Sequence, residues 1–399
     1  MSKLEELIWK HCPDGVEYKT IKDTFVRIKG TPITATKMKE IANEDGDVRI
    51  YAGGKTVVNA FEKDIPNANI TKVPAVLVQS RGVIDVVYYD KPFTFKNEMW
   101  AYTTDNPTTV KFLYYVLKNN IQHFRDEASG MGSLPQISLR VTEDFTIPVP
   151  PLPVQEEIVR ILDNFTGLEK ELEKELEKRR QQYEYYRDSL IENPKSKIEN
   201  GWKKVRLGEI GTFTRGRRFV HADDRDEGIP CIHYGELYTH YGVWANKVKT
   251  HINPELTTKF RYADKNDVII VAAGENNIDI GVGVAWLGDE KVAVHDACFI
   301  FKHNQNPKFI SYVLRTYDYH QQIKSNVSKG KICSISADGL ATAEIPLPPL
   351  DVQERIVNVL DNFEKLCNDL GIGLPAEIEA RRKQYEYYRN KLLSFTPPI

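Results

Sequence analysis

Residues 147–165 read IPVPPLPVQEEIVRILDNF, and residues 345–363 read IPLPPLDVQERIVNVLDNF. Gln155 matches Gln353, Leu162 matches Leu360, and Asp163-Asn164-Phe165 matches Asp361-Asn362-Phe363, all at one offset of 198. QYEYYR at 182–187 returns at 384–389, where the offset has grown to 202. The second copy has therefore gained four residues between the two matched blocks. An internal repeat of this kind decides the architecture, because each copy must be one folding unit.

The repeat extends outward more weakly. Gly132, Ile137 and Ser138 match Gly330, Ile335 and Ser336; Lys29-Gly30 lines up with Arg215-Gly216; Gly46, Ile50 and Gly53 line up with Gly228, Ile232 and Gly235. Asn106-Pro107 and Asn306-Pro307 each open a stretch of helical spacing. Asn suits an N-cap and Pro the first helical position. The chain thus reads as two copies of a globular domain, a proline hinge and a helical arm. The expected partition is a first globe at 1–150, a first arm at 151–193, a second globe at 194–348 and a second arm at 349–399. Within one chain the arms have stayed alike while the globes have diverged, so the arms share one task and the globes differ in theirs.

In the first arm, Ile158, Ile161, Phe165, Leu168 and Leu172 are spaced 3, 4, 3, 4, a heptad seam. Leu176 falls four later, and Tyr183, Tyr186 and Leu190 resume the pattern. The extra step is a stutter, and it coincides with LEKE-LEKE-LEK at 168–178. Gly371, Gly373 and Pro375 should break the second arm into two helices. Two such amphipathic arms can bury their seams on each other; an antiparallel coiled-coil pair would relate the globes by an approximate two-fold axis. The globes are mixed: Val73–Val78, Val83–Tyr89, Val268–Ala272 and Val282–Leu287 read as strands, and 106–125 and 306–324 as helices. The fold class expected is α+β.

Composition narrows the function classes. The 399 residues carry 54 Lys+Arg against 56 Asp+Glu, a net charge of -2. A uniformly basic nucleic-acid coat is excluded, so any such binding rests on local patches. No apolar run is long enough to span a bilayer. Met1-Ser2-Lys3-Leu4-Glu5-Glu6-Leu7 puts carboxylates where a signal peptide needs an apolar stretch, and the five cysteines show no close pairing. Both point to a reducing, cytoplasmic setting.

Two unlike globes suit an extended ligand with two different features, and a duplex with its local dyads is such a ligand. Between Lys203 and Arg218 there are six bases and one acid. Arg215, Arg217 and Arg218 form a cluster suited to phosphate contact and to guanine edges, or simply a solvated basic face. Lys29 holds the matching place in the first globe. Arg81, the loop residues Ser133 and Gln136, and Lys329 and Lys331 are further DNA candidates. Asn276 and Asn277 could pair with adenine edges, although Asn in such a loop equally serves turn chemistry. Tyr234, Tyr238, Tyr241 and Trp244 are read mainly as core.

No catalytic set emerges. PDGVEYK at 13–19 superficially matches a nuclease pattern, but Asp14 and Glu17 are too close in sequence to come from two neighbouring strands. Cys231-Ile232-His233 with His240 lacks a second cysteine pair, so no metal is expected. There is no GxxxxGK[ST] loop, Gly281-Val282-Gly283 lacks a third glycine, and no Asn/Asp-Pro-Pro-aromatic tetrapeptide occurs. The chain is read as a non-enzyme.

The arm motifs, with LPAEIEARRKQYEYYRNKLL and the opening LEELIWKHCPDGVEYKTI, resemble the specificity subunit of type I restriction–modification systems. The resemblance covers the whole chain. It implies two target-recognition domains, each reading one half of a split DNA site, with helical arms setting the gap. It also implies two methyltransferase subunits docked on the arms and restriction subunits joining them, with S-adenosylmethionine, ATP and magnesium in those partners. By resemblance, Gln155, Glu156, Asp163, Phe165, Tyr183, Tyr186 and Arg187, with Gln353, Glu354, Asp361, Phe363, Tyr385, Tyr388 and Arg389, serve arm packing or partner docking. The competing readings are a scaffold for two proteins without DNA, and a self-contained nuclease.

Overall fold

The structure is a computed structural model describing residues 2–54, 56–129, 134–192, 202–328, 330–368 and 373–397. Candidates Ser133 and Lys329 and the expected 193/194 boundary lie outside the described residues, as do the matched Gly132 and the glycine at 371. The chain divides into two compact units. One joins residues 1–172 to 378–399, and the other is Glu173–Glu377. Each unit therefore holds one globe, the near end of its own arm and the far end of the other.

In the first unit the main sheet is antiparallel, with strand order Val26–Lys29, Trp100–Thr103, Ala75–Gln79, Asp85–Tyr89. Every residue of Ala75–Gln79 is buried. This is why that strand reads as an unbroken apolar run and not an alternating one. Helix α1 (Pro107–Asn119) packs on this sheet, and Asn106 caps it as expected: its Oδ1 accepts from the amides of Thr108 (2.8 Å) and Thr109 (3.1 Å). A second sheet pairs Val57–Ala60, Val48–Tyr51 and Phe93–Phe95. Tyr18–Thr20 pairs with Thr146–Pro148, which places the proline hinge at the foot of the arm.

The second unit repeats this plan with different detail. Its main sheet runs Gly211–Arg215, Cys298–His303, Val268–Val271, Gly283–Trp286, Trp244–Ala245. Val268–Val271 is wholly buried, and Lys204–Arg206 pairs with the hinge strand Glu344–Pro346. The second sheet, three-stranded in the first unit, here has five strands, as many as the main sheet.

The first arm is helix α2, Leu152–Glu192. Its 41 residues span about 60 Å at 1.5 Å per residue. In the second globe, α3 (Pro307–Val313) is capped by Asn306. The second arm is two helices, α4 (Leu350–Asn368) and α5 (Gly373–Leu393), with Pro375 tolerated in the first turn of α5. In the first unit α2 and α5 run antiparallel. Phe165 stacks on Tyr388 (5.7 Å between ring centroids), and Glu169 Oε1 accepts from Arg382 Nε (2.6 Å). In the second unit the later part of α2 runs antiparallel to α4. Tyr186 stacks on Phe363 (6.1 Å), and the Tyr183 hydroxyl donates to Glu364 (2.7 Å).

The expected seam is only partly buried. Ile158 is fully enclosed, but Leu168 is 48% exposed. Four α2 side chains are fully enclosed: Val154, Ile158 and Leu162 enter the first globe's core alongside Val110, Leu113 and Leu117, and Ile191 enters the core of the second unit. Each end of α2 is anchored in the core of its own unit, and the seam thins through the charged LEKE stretch. The aromatic expectation also needs correcting. Tyr234 and Tyr241 pack against the core as expected, but Tyr238 and Trp244 are each 39% exposed, and the Lys308 ammonium lies 4.3 Å from the Trp244 ring centroid. Four cysteines, 12, 231, 298 and 333, are buried and unpaired.

Candidate nucleic-acid interface

The strongest convergence in each globe lies at one edge of its main sheet. In the first, Lys29 ends its strand opposite Trp100. In the second, Arg215 ends its strand opposite Phe299. A glycine follows each. A Cβ on Gly30 would stand 2.2 Å from the Phe95 carbonyl oxygen, and one on Gly216 would stand 2.2 Å from that of His295. Only glycine lets the chain pass so close to a neighbouring strand. The repeat thus keeps the backbone corner and changes the side chain it presents.

Each corner floors a concavity. In the first globe it measures about 580 Å³ and is lined by Arg27, Lys29, Asn69, Asn97, Glu98, Trp100 and Leu139 among others. Arg27 is partly engaged by Glu143 (3.3 Å). In the second globe it measures about 610 Å³ and includes Arg215, Tyr234, Glu275, His295, Asp296 and Lys331. Arg215 Nε donates to the Asp296 carbonyl (2.7 Å), and its guanidinium lies 5.9 Å from the Phe299 ring centre. The side chain is held at its Nε edge, leaving the terminal Nη pair to face a ligand. Burial pushes the His295 imidazole below its usual range, with Asp296 pulling the other way and His233 reinforcing the fall. It therefore acts as a neutral hydrogen-bonding group at pH 7.

The remaining candidates divide. Arg81 and Gln136 are bridged to each other, and both are exposed. Arg217 and Arg218 are exposed, with the Arg217 amide tied to the Val294 carbonyl (2.9 Å). Asn276 does turn chemistry, its Oδ1 accepting from the Ile278 amide (3.3 Å), while Asn277 lines a different cavity from Arg215 and Lys331. Sequence reading missed His295-Asp296 and Asn97-Glu98. Their signal is a polar pair interrupting apolar strands, and only strand register brings them beside Arg215 and Lys29.

Most arm candidates are internal braces. Asp163 accepts from Lys111 Nζ (2.8 Å) and the Tyr115 hydroxyl (2.5 Å), and Asp361 accepts from Lys308 Nζ (2.6 Å) and the Tyr312 hydroxyl (2.7 Å). Gln155 donates to the Pro150 carbonyl (2.7 Å), as Gln353 does to that of Pro348 (2.8 Å). Arg187 is buried against Asp188 (2.7 Å), and Arg389 Nε donates to Asn119 (2.8 Å). Tyr385 packs near Phe165. Glu156, Glu354, Tyr186, Phe363 and Tyr388 keep exposed surface.

The two enzyme-like patterns do not assemble. Asp14 and Glu17 are exposed, and Glu17 pairs with Lys19 (3.0 Å). Cys231 Sγ contacts the Thr250 carbonyl and does not join His240 in a cluster. Instead His221, Asp224 and His233 group together. Asp224 receives His221 Nδ1 and His233 Nε2, each at 2.9 Å. Burial works against its charge, but these two hydrogen bonds more than offset it and hold the carboxyl below its usual range. The two rings stack 4.4 Å apart at 21°, and the three ligand atoms lie within 4.8 Å of one another.

A family model for the type I restriction modification DNA specificity domain matches residues 13–178 and again 199–380. The Escherichia coli type I restriction enzyme EcoR124I/EcoR124II specificity subunit is 28% identical over 421 residues, covering 100% of this chain and 98% of the relative. The S subunit of the Mycoplasma genitalium type I restriction–modification system aligns at TM-score 0.52 and 16% identity, over 95% of this chain and 96% of that one. A chain from a structural study of assembly and conformational transition in the type I system aligns at TM-score 0.59 and 16% identity, over 96% and 98%. At that identity the two structures speak for the fold. The doubled family match falls on the doubled sequence, and the chain belongs to the type I restriction–modification DNA specificity family.

Proposed function

We propose that this chain is the recognition subunit of a type I restriction–modification complex, each globe reading one half of a bipartite duplex site. The observation that carries the reading is the repeated cation–glycine corner, Lys29-Gly30 and Arg215-Gly216, at matching register in both main sheets. Arg215, held at its Nε edge, offers a planar pair of donors that matches the O6 and N7 acceptors of guanine. Lys29, Lys331, Arg217 and Arg218 supply phosphate contacts, which position the protein without reading sequence. On this reading the near-zero net charge means that the methyltransferase and restriction subunits share the phosphate contacts. Methylation, cleavage and translocation belong to those partners, and so do S-adenosylmethionine, ATP and magnesium. This chain performs no chemistry, and it works in the cytoplasm. Among the described residues no helix is long and apolar enough to cross a membrane.

The test is a map of methylated sites made with the assembled methyltransferase complex. Arg215→Ala should relax or abolish one half-site and leave the other and the gap unchanged. Lys29→Ala should act on the opposite half. Removing one specific pairing to a base edge should cost about 1–3 kcal/mol of discrimination. A complex in which Arg215→Ala alters both halves equally, or in which neither variant alters any site, would refute the one-globe-one-half reading. A scaffold that never touches DNA would show no salt-dependent duplex binding even with methyltransferase present.

A further inference from the structure

The cavity that contains Asn277 is separate from the cationic corner and is built differently. It encloses about 540 Å³ in the second unit, within the size range of small-molecule sites. One wall carries two guanidinium groups, Arg187 and Arg315, with Lys324 also lining the cavity. Arg315 Nη2 donates to the carbonyls of Gly242 (2.7 Å) and Gly283 (3.2 Å), but its Nε is buried with no hydrogen-bond partner among the described residues. A buried donor left unmet on a charged group is costly, so a water or a ligand acceptor would be held there. Neighbouring acids are already engaged: Asp188 holds Arg187, and Glu364 accepts from Tyr183. Burial pushes the Arg315 guanidinium below its usual range, with Glu364 and Tyr183 pulling the other way and Arg187 adding a smaller push downward. The opening for an acceptor on that wall is the Arg315 Nε, which nothing among the described residues meets.

The remaining lining is different. Tyr238 and Tyr241 contribute rings, and Ile278, Ile280 and Val282 contribute apolar surface. Asp279 also lines the cavity, its carboxyl pushed up by burial. A ligand matching all of these has an anionic group, a flat body and an amino donor.

We propose that this cavity binds a nucleoside monophosphate unit, its phosphate against Arg187, Arg315 and Lys324 and its amino-bearing base against the tyrosines and Asp279. The unit comes either from free nucleotide or from a nucleotide of the bound DNA. The assignment does not depend on which bases the globes read. The test titrates the full chain, without DNA, with adenosine monophosphate, inorganic phosphate and adenosine by calorimetry. The nucleotide should bind at least about tenfold more tightly than either part alone. Arg315→Met should weaken it by about tenfold or more, with melting curves to check folding. Lys324→Glu, at an exposed position, should weaken it by several-fold in a chain that melts as before. Should the free nucleotide not bind, Lys324→Glu must weaken duplex binding by the assembled complex about tenfold, which assigns the unit to DNA. Failure of both, or equal affinity for phosphate and nucleotide, overturns the proposal and leaves the half-site reading untouched.

Discussion

Replacing Asp361 by Asn removes the charge that joins the second globe to its arm. In the native chain this carboxylate accepts from Lys308 Nζ at 2.6 Å and from the Tyr312 hydroxyl at 2.7 Å. Hydrogen bonds to charged groups contribute about 1.5–3 kcal/mol each when shielded. Lys308 and Asp361 are about one-fifth exposed, which screens part of this. The expected loss is about 2–4 kcal/mol. The first-globe counterpart, Asp163→Asn, should cost less, about 1–2 kcal/mol, because Lys111 and Asp163 are about one-third exposed. Tyr312 provides an internal check. Burial and then the Asp361 hydrogen bond push its phenol upward, so Asp361→Asn should bring that titration down. Urea unfolding followed by circular dichroism, with amide exchange over Pro307–Val313, would measure both variants. A double-mutant cycle with Tyr312→Phe should show coupling above about 0.5 kcal/mol. Additive behaviour in that cycle, or two Asn variants within about 0.5 kcal/mol of the native chain, would refute the idea that these clamps hold the arms.

Gly216→Ala should impair the second half-site alone and Gly30→Ala the first alone, each straining its corner by about 1–3 kcal/mol; site mapping distinguishes them, and loss of both halves from either change would contradict it. Acid should weaken the two units in different windows. Arg160, opposed by burial and helped by Lys3, holds the Glu157 carboxyl down to about 2, below the usual 4.5, so its contribution is full above pH 4.5 and is lost as pH falls towards 2. Both cations are more than half exposed, so roughly 1–2 kcal/mol is at stake, and Glu157→Gln should flatten this part of an acid titration. Burial holds the His303 imidazole down to about 4 against 6.5, so the second globe should lose stability between pH 6.5 and 4, a loss that His303→Gln should suppress. Deleting one LEKE unit from α2 shortens the helix by about 6 Å, which should alter the non-specific gap and leave both half-sites unchanged in the methylation map.

Much of the scaffold was legible because helix signals are local. The Asn-Pro caps and the proline hinges follow from neighbouring residues and appear in the structure, whereas of the residues expected to break the second arm Gly373 and Pro375 open α5 and residue 371 lies outside the described residues. The clamps were legible in principle. Lys111-Phe112 with Tyr115 and Lys308-Phe309 with Tyr312 share one spacing, but their offset of 197 falls one residue short of the arm repeat. The concavities were not legible. Lys29 meets Glu98, and Arg215 meets His295 and Asp296, only after two distant strands pair in a particular register. Trp244 was misjudged for a related reason. A large ring reads as core from the sequence alone, whereas here one face of Trp244 meets the Lys308 ammonium, brought from another element, and the ring stays 39% exposed.

The unequal divergence of arms and globes has a physical cause in this arrangement. Along each arm a short span of sequence must satisfy two sets of neighbours at once. Asp163 is bound by its own globe through Lys111 and Tyr115, while Phe165, two residues on, stacks on the helix of the other arm. Asp361 and Phe363 repeat the pair of constraints. A change acceptable to one neighbour is then rejected by the other, so few substitutions survive. At the cation–glycine corner the strict demand is the missing Cβ of Gly30 and Gly216. The residue before it projects outward and can be Lys in one globe and Arg in the other without disturbing either sheet. On the proposed half-site reading, changing what is read while keeping how it is held needs substitutions at positions such as Lys29 and Arg215, and the fold tolerates these because their side chains are exposed.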